Sequence, residues 1–316
     1  MPTLSPNARV LWIGGACALT VLMIWSSFII IARYSASRTL LPFDIAFLRF
    51  AFSAAVVAAI VLWRRRGANP WRTALTLRQI AVLTLSAGIG YCTLAYSGFF
   101  FAPAAHAAVL LPGSLPLWTA IMAVVLLGER LTRARLLGLA LIVVGDLLVG
   151  GASLWQAMDG GQAWKGDLLF LAAAACWGLY TVMCRRWNVG AVDATFCIAL
   201  GCGLSFVPLY ALGALQGWWP SQLAAAPWTE IAWQAVYQGG LAMLIAGIAF
   251  TQVVRSFGPV VTTMLTALVP PLAALAAVPL LGEPLRAPAL LGLACVTAGL
   301  LLGVSAQWLA LRARAA

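Results

Sequence analysis

Apolar runs of about 20 residues, separated by short polar or arginine-bearing stretches, recur along the whole chain. A helix rises about 1.5 Å per residue, so roughly 20 residues cross a hydrocarbon core. Ten such runs are predicted as membrane-spanning helices: 10–32, 44–63, 79–100, 104–127, 134–151, 166–184, 193–214, 229–254, 258–281 and 287–307. Their connections are short, apart from 64–78, 152–165 and 215–228. The first run, Val10 to Ala32, exceeds a signal-peptide core and is followed by no convincing small-residue cleavage site. It is expected to remain as the first span.

Composition removes the soluble alternatives. Hydrophobic residues make up 63% of the chain and charged residues 9%, with a mean hydropathy of +0.99. A soluble domain is about half apolar and a quarter charged, so this chain lacks the polar side chains to cover a water-exposed surface. The expected class is an all-α integral membrane protein, with the lipid bilayer as its surroundings. A net charge of +11 would suggest nucleic acid in a soluble protein. Here the arginines sit at the ends of apolar runs and act as topology signals, and no nucleic-acid partner is expected. With the N-terminus inside, the cytoplasmic side holds Arg9, Arg64, Arg65, Arg66, Arg72, Arg78, Arg130, Arg133, Arg135, Arg185, Arg186, Arg255, Arg312 and Arg314. The opposite side holds only Arg33, Arg38, Lys165 and Arg286. Both termini are therefore expected to be cytoplasmic. Seven cysteines fall in or beside apolar runs without metal-ligand spacing, and His106 is the single histidine. No metal site and no cofactor are expected.

The chain repeats itself. LLGERLTRARLLGLA at 126–140 returns as LLGEPLRAPALLGLA at 280–294. At an offset of 154 (280 − 126), residues 126–148 and 280–302 share 13 of 23 positions without a gap. The first copy closes span 4 and the second closes span 9. Five spans is an odd number, so a duplicated five-span unit inserts upside down the second time. Fewer arginines in the second loop agree with that orientation, since arginines there would oppose the topology. Weaker echoes pair Trp25 with Trp177, Asp44 with Asp193, and Pro116 with Pro270. The expected organisation is a first repeat over 1–151, a periplasmic connection over 152–165, and an inverted second repeat with a short basic tail over 166–316.

Two inverted halves can exchange conformations about a central site, which is the logic of alternating access. Pro112 and Pro116 in span 4, with Pro270 and Pro271 in span 9, fall near the midplane. Broken helices are tolerated there when protein or a wet cavity satisfies the freed carbonyls, and rigid packing kinks are the other reading. Gly88 and Gly90 in span 3, and Gly239 and Gly240 in span 8, are expected to permit close helix approach.

Ten spans in two inverted halves, a Trp-x-x-aromatic in the first span of each half, and the run from Pro116-Leu117-Trp118-Thr119-Ala120 through Gly128-Glu129-Arg130-Leu131 to Gly138 resemble the EamA branch of the drug/metabolite transporter superfamily. The echo runs from Pro270 through Gly282-Glu283 to Gly292, with Pro284 departing from the Gly-Glu-Arg motif. The resemblance implies a central cavity lined by spans 1, 3, 4, 6, 8 and 9. It also implies transport of small metabolites, often export of amino acids or toxic compounds, across the bacterial inner membrane. On the implied cavity helices the candidate substrate contacts are Trp25, Tyr91, Tyr96, Trp118, Thr119, Trp177, Tyr180, Tyr237 and Gln238. Trp25 and Trp177 lie within their spans and suit a lipid-interface belt poorly.

Ionisable groups inside spans are expensive and point to function first. Arg49, in span 2, admits two readings: a ligand for a substrate carboxylate, or, slightly preferred, a side chain snorkelling to the headgroups. Asp146 has no symmetry mate, since its counterpart is Leu300, and suits an ion pair or helix contact more than proton coupling. His106 admits gating, coupling to a proton, or capping a helix. Glu129 and Glu283 are expected to lock their loops by accepting backbone or arginine donors. No paired carboxylates, nucleotide-binding loop or catalytic set appears, and Ser114 and His106 stand eight residues apart. The sequence favours a secondary exporter of a small-molecule substrate such as an amino acid over an exporter of lipophilic cations, with an uncoupled channel as the rival class.

Overall fold

The computed structural model describes the backbone of residues 6–65, 73–266 and 268–315. Side chains at 6–11, 191, 251, 254–255, 258–264 and 304–315 lie outside the description. Of the arginines that orient the chain, Arg66 and Arg72 fall outside the described residues, and the side chains of Arg9, Arg255, Arg312 and Arg314 lie outside the description.

The described chain is helical throughout its regular structure: α1 (Pro6–Ser35), α2 (Pro42–Arg65), α3 (Leu77–Phe99), α4 (Ala104–Leu127), α5 (Arg133–Ala157), α6 (Ala163–Arg186), α7 (Ala191–Leu215), α8 (228–266), α9 (Val269–Leu281) and α10 (Ala287–Ala315). Among the described residues, eight helices are long and apolar enough to cross a membrane, and Val269–Leu281 and Ala287–Gly303 are shorter apolar helices. Most helices outrun their apolar cores by a turn because backbone hydrogen bonding continues into the flanking polar residues. Helical hydrogen bonding is assigned from Ala246 to Thr266, yet Ala242 and Val269 line one cavity. About 24 residues of straight helix would carry the chain about 36 Å away, so it turns back between them, as a connection between spans 8 and 9 requires.

The repeat is visible in the backbone. α4 is interrupted at Ser114 (φ −79°, ψ −10°), and α9 begins after Leu268 with nearly the same dihedrals (φ −80°, ψ −15°). Both helices then end on a left-handed glycine, Gly128 at φ 69° and Gly282 at φ 67°. Only glycine adopts that conformation without a Cβ penalty, which is why Leu-Leu-Gly recurs. The prolines act differently from a mid-helix kink. Pro116 and Pro270 stand in the first turn of the helices that follow each break, with Pro271 next to Pro270, where a missing N–H removes no helical bond. Pro112 lies inside a short π-helical segment, Val109–Gly113. The hydroxyl of buried Ser114 donates to the Leu110 carbonyl at 2.6 Å and satisfies an acceptor at the break.

α5 and α10, the repeat-related helices, cross antiparallel through their glycines. A Cβ on Gly138 would lie 2.7 Å from the Gly299 carbonyl oxygen, and one on Gly299 would lie 2.5 Å from that of Gly138. Gly145 and Gly292 face each other likewise, at 2.6 and 2.8 Å. Gly138 is the repeat mate of Gly292 (292 − 138 = 154) and Gly145 of Gly299 (299 − 145 = 154). Each glycine therefore meets the repeat mate of the other glycine on its own helix, as two inverted halves related by a two-fold axis require. Gly88, Gly90, Gly239 and Gly240 pack closely too: a Cβ on Gly239 would come within 2.8 Å of the Arg49 carbonyl, which brings α8 against α2.

Candidate functional site

A cavity of about 100 Å³ opens among the broken and π-helical segments. α1 contributes Trp25, Phe28 and Ile29, α3 contributes Tyr91, and α4 contributes Leu111, Pro112 and Leu115. The second half closes it with Ala174 and Trp177 of α6, Ala242 of α8 and Val269 of α9. One charged side chain enters the wall, Arg49 of α2. π-helical turns recur at corresponding depths, Thr84–Gly90 in α3 and Ala235–Ile245 in α8. Such turns often accompany functional sites because they re-aim side chains by part of a turn. A larger groove, about 930 Å³, lies between α3 and α7, but its lining is apolar apart from a few hydroxyls and a cysteine thiol, and it holds no charged group.

Aromatic contacts cross between the halves. Trp25 stacks on Phe250 with centroids 5.3 Å apart, and Trp177 meets Tyr91 at 4.7 Å. Trp177 also touches Tyr180 edge-on at 5.2 Å. Of the nine expected substrate contacts, Trp25, Tyr91 and Trp177 line the cavity and the other six do not. Trp118 Cβ and the Thr119 backbone pack against Gly178 at the α4–α6 crossing, and the Trp118 indole nitrogen is buried without a partner among the described residues. Tyr237 bonds Ser27 at 2.7 Å and donates to the Ile24 carbonyl at 3.0 Å, fixing α8 to α1.

Arg49 does not snorkel. It is 6% exposed, and its guanidinium lies 6.0 Å from the Phe28 ring. Its Nη1 donates to the Tyr96 hydroxyl at 3.3 Å, while Nε has no partner. α8 packs against α2 through Gly239 and covers the route to the surface. Behind Tyr96 a chain of side chains continues: Tyr96 donates to Gln238 at 2.9 Å, Gln238 to Gln234 at 3.2 Å, and Gln234 to Ser35. Gln234 and Ser35 escaped sequence reading, since a lone polar residue in a span carries no signal of its partner.

Asp146 lies far from that role. Both its carboxylate oxygens are buried without a hydrogen-bond partner, so neither an ion pair nor a contact with Arg49 exists among the described residues. His106 Nδ1 lies 2.9 Å from an oxygen of buried Asp167 and 3.4 Å from the Ser153 hydroxyl. Asp167 was missed because it stands at a helix start where a carboxylate is ordinary.

The two motif glutamates occupy opposite ends of the bundle, because α4 begins beside Glu283 and ends at Glu129. Glu283 accepts from Arg33 Nε at 2.5 Å and from the Ala104 N–H at 2.8 Å, and Arg33 Nη1 also donates to the Phe99 carbonyl. Glu129 accepts from Arg185 at 2.5 Å, with Arg135 at 3.9 Å. Arg33 and Arg185 share the offset of Trp25 and Trp177 (185 − 33 = 177 − 25 = 152). Each glutamate thus holds the arginine of the other half, and Pro284 does not prevent the equivalent contact.

The family model for EamA-like transporters matches residues 12–151 and again 164–305. The uncharacterized transporter YyaM of Bacillus subtilis (strain 168) is 25% identical over 226 residues, 70% of this chain and 71% of its own. A solved crystal structure of a protein 22% identical to this one, with a TM-score of 0.57, covers 92% of this chain and 96% of its own and shares the fold.

Proposed function

The chain belongs to the EamA-like transporter family, and from that premise we propose that it is an alternating-access secondary transporter exporting a small metabolite, such as an amino acid or a related compound. In this reading ten spans form two inverted five-helix repeats in a bacterial inner membrane, with both termini cytoplasmic. The observation that carries it is the reciprocal pairing of the halves around one cavity: Arg33 with Glu283 at one end, Arg185 with Glu129 at the other. Two ends closed by equivalent contacts can open in turn, which is what a carrier needs and a pore does not. The Glu283 end is the periplasmic one in this orientation, and the Glu129 end the cytoplasmic one.

Counterflow in proteoliposomes tests the reading. The panel holds neutral, aromatic and basic amino acids and a lipophilic cation, with and without an imposed pH gradient. Saturable exchange of amino acids is expected, and acceleration by the pH gradient would identify a coupling proton. Conductance without saturation would replace the carrier by a channel. Movement of the lipophilic cation alone would replace metabolite export by multidrug efflux.

A further inference from the structure

We infer that the cavity recognises its substrate through one carboxylate bound at Arg49, with the apolar part of the substrate against Trp25, Tyr91 and Trp177. This rests on the transporter reading above only for the statement that the ligand is then moved. A buried guanidinium carries five N–H donors and a charge that burial makes costly unless an anion compensates it. Here Nη1 has a neutral acceptor and Nε has none. The four ion pairs among the described residues, Arg33–Glu283, His106–Asp167, Arg135–Glu129 and Arg185–Glu129, all engage other groups. Membrane-buried arginines are held by an anion or by carbonyls; among the described residues Arg49 has neither, while it lines the cavity.

The surrounding hydrogen bonds explain why Arg49 stays available. The direction of donation runs one way, from Arg49 to Tyr96, Gln238, Gln234 and Ser35, and ends on the Ile31 carbonyl at 2.6 Å. Each oxygen in the chain accepts from its neighbour, and all of them are neutral, so none compensates the guanidinium charge. The chain aims the fork and leaves its remaining donors for a planar two-oxygen partner, the geometry that arginine matches best. Cations, which aromatic walls alone would welcome, meet a like charge instead.

The test uses the purified full chain and three probes that share a phenyl group: 3-phenylpropionate, L-phenylalanine and 2-phenylethylamine. Binding is read from thermal stabilisation and from tryptophan fluorescence, since Trp25 and Trp177 line the cavity. Both carboxylates are expected to bind and the amine to bind at least tenfold more weakly. Arg49→Gln should weaken carboxylate binding by about 10- to 100-fold, the range of one charged hydrogen-bonded contact, without lowering the melting temperature of the unliganded protein. Should Arg49→Gln not fold, Arg49→Lys and Tyr96→Phe serve: the first keeps the charge without the fork, the second removes the acceptor that aims it, and each should weaken binding several-fold. Equal binding of the amine, no binding of either carboxylate, or undiminished carboxylate binding in these variants would overturn the inference. Arg49-dependent carboxylate binding without any counterflow would leave the site standing and remove the transport reading. Saturable counterflow of the amine, equal in wild type and Arg49→Gln, would do the reverse.

Discussion

The same Leu-Leu-Gly-Glu motif closes both ends of the bundle, yet the two ends are built to different strengths. At the Glu283 end the ion pair is mostly enclosed, with side-chain exposures of 29% for Arg33 and 19% for Glu283. The carboxylate there also caps α4 through Ala104, and His106, Asp167 and Ser153 add a second polar cluster nearby. At the Glu129 end Arg185 is 67% exposed, and the second arginine stands at 3.9 Å. The His106 cluster has no echo there, since the position 152 before Asp167 is Gly15. A repeated sequence therefore fixes which groups meet, while burial and neighbouring donors decide how firmly they hold.

Glu283→Ala attacks the firm end and should have the largest effect, since it strands a half-buried guanidinium and a helix-start N–H together. A loss of about 2–4 kcal/mol is expected in chemical unfolding of the detergent-solubilised protein. A loss no greater than that of Glu129→Ala would remove the asymmetry. Next come Gly138→Val and Gly299→Val at the α5–α10 crossing, where the two halves contribute alike. Each forces a side chain against a carbonyl and should destabilise by about 1–3 kcal/mol, and the two should agree closely; a one-sided effect would contradict reciprocal packing. His106→Ala deprives Asp167, 3% exposed, of its imidazole partner and should destabilise by about 1–2 kcal/mol. Glu129→Ala should have the smallest effect, below about 1 kcal/mol, because an exposed pair is weak. Raising salt should erase that difference while leaving the Glu283→Ala difference largely intact. Salt-insensitivity at the Glu129 end would show that its pair is more enclosed than its exposure indicates.

Much of this was legible in advance. Apolar run length revealed most helices because lipid imposes a minimum span, and the offset of 154 revealed the duplication because 13 matches in 23 positions exceed shared composition. The boundary between spans 8 and 9 is blurred in the backbone, where helical hydrogen bonding is assigned from Ala246 to Thr266, but the chain still turns back, since Ala242 and Val269 line one cavity. In the site, Trp25 and Trp177 were found by their repeat relation. Tyr96 and Gln238 were found too, but as substrate contacts, whereas they stand behind Arg49 in a hydrogen-bonded chain. A span's sequence gives the angular position of a side chain on its own helix and says nothing of what the neighbouring helix places opposite.

The sequence by itself determined the membrane class, the duplicated plan and the left-handed glycine ends, because each follows from local chemistry: hydropathy, repetition and backbone conformation. Only the tertiary structure decided that Arg49 is buried, that Asp146 stands without a partner among the described residues, and that each motif glutamate reaches the arginine of the opposite half. Those outcomes depend on which helices approach within hydrogen-bond distance. Glycines such as Gly239 and Gly138 set that approach by letting backbones come closer than any Cβ would allow.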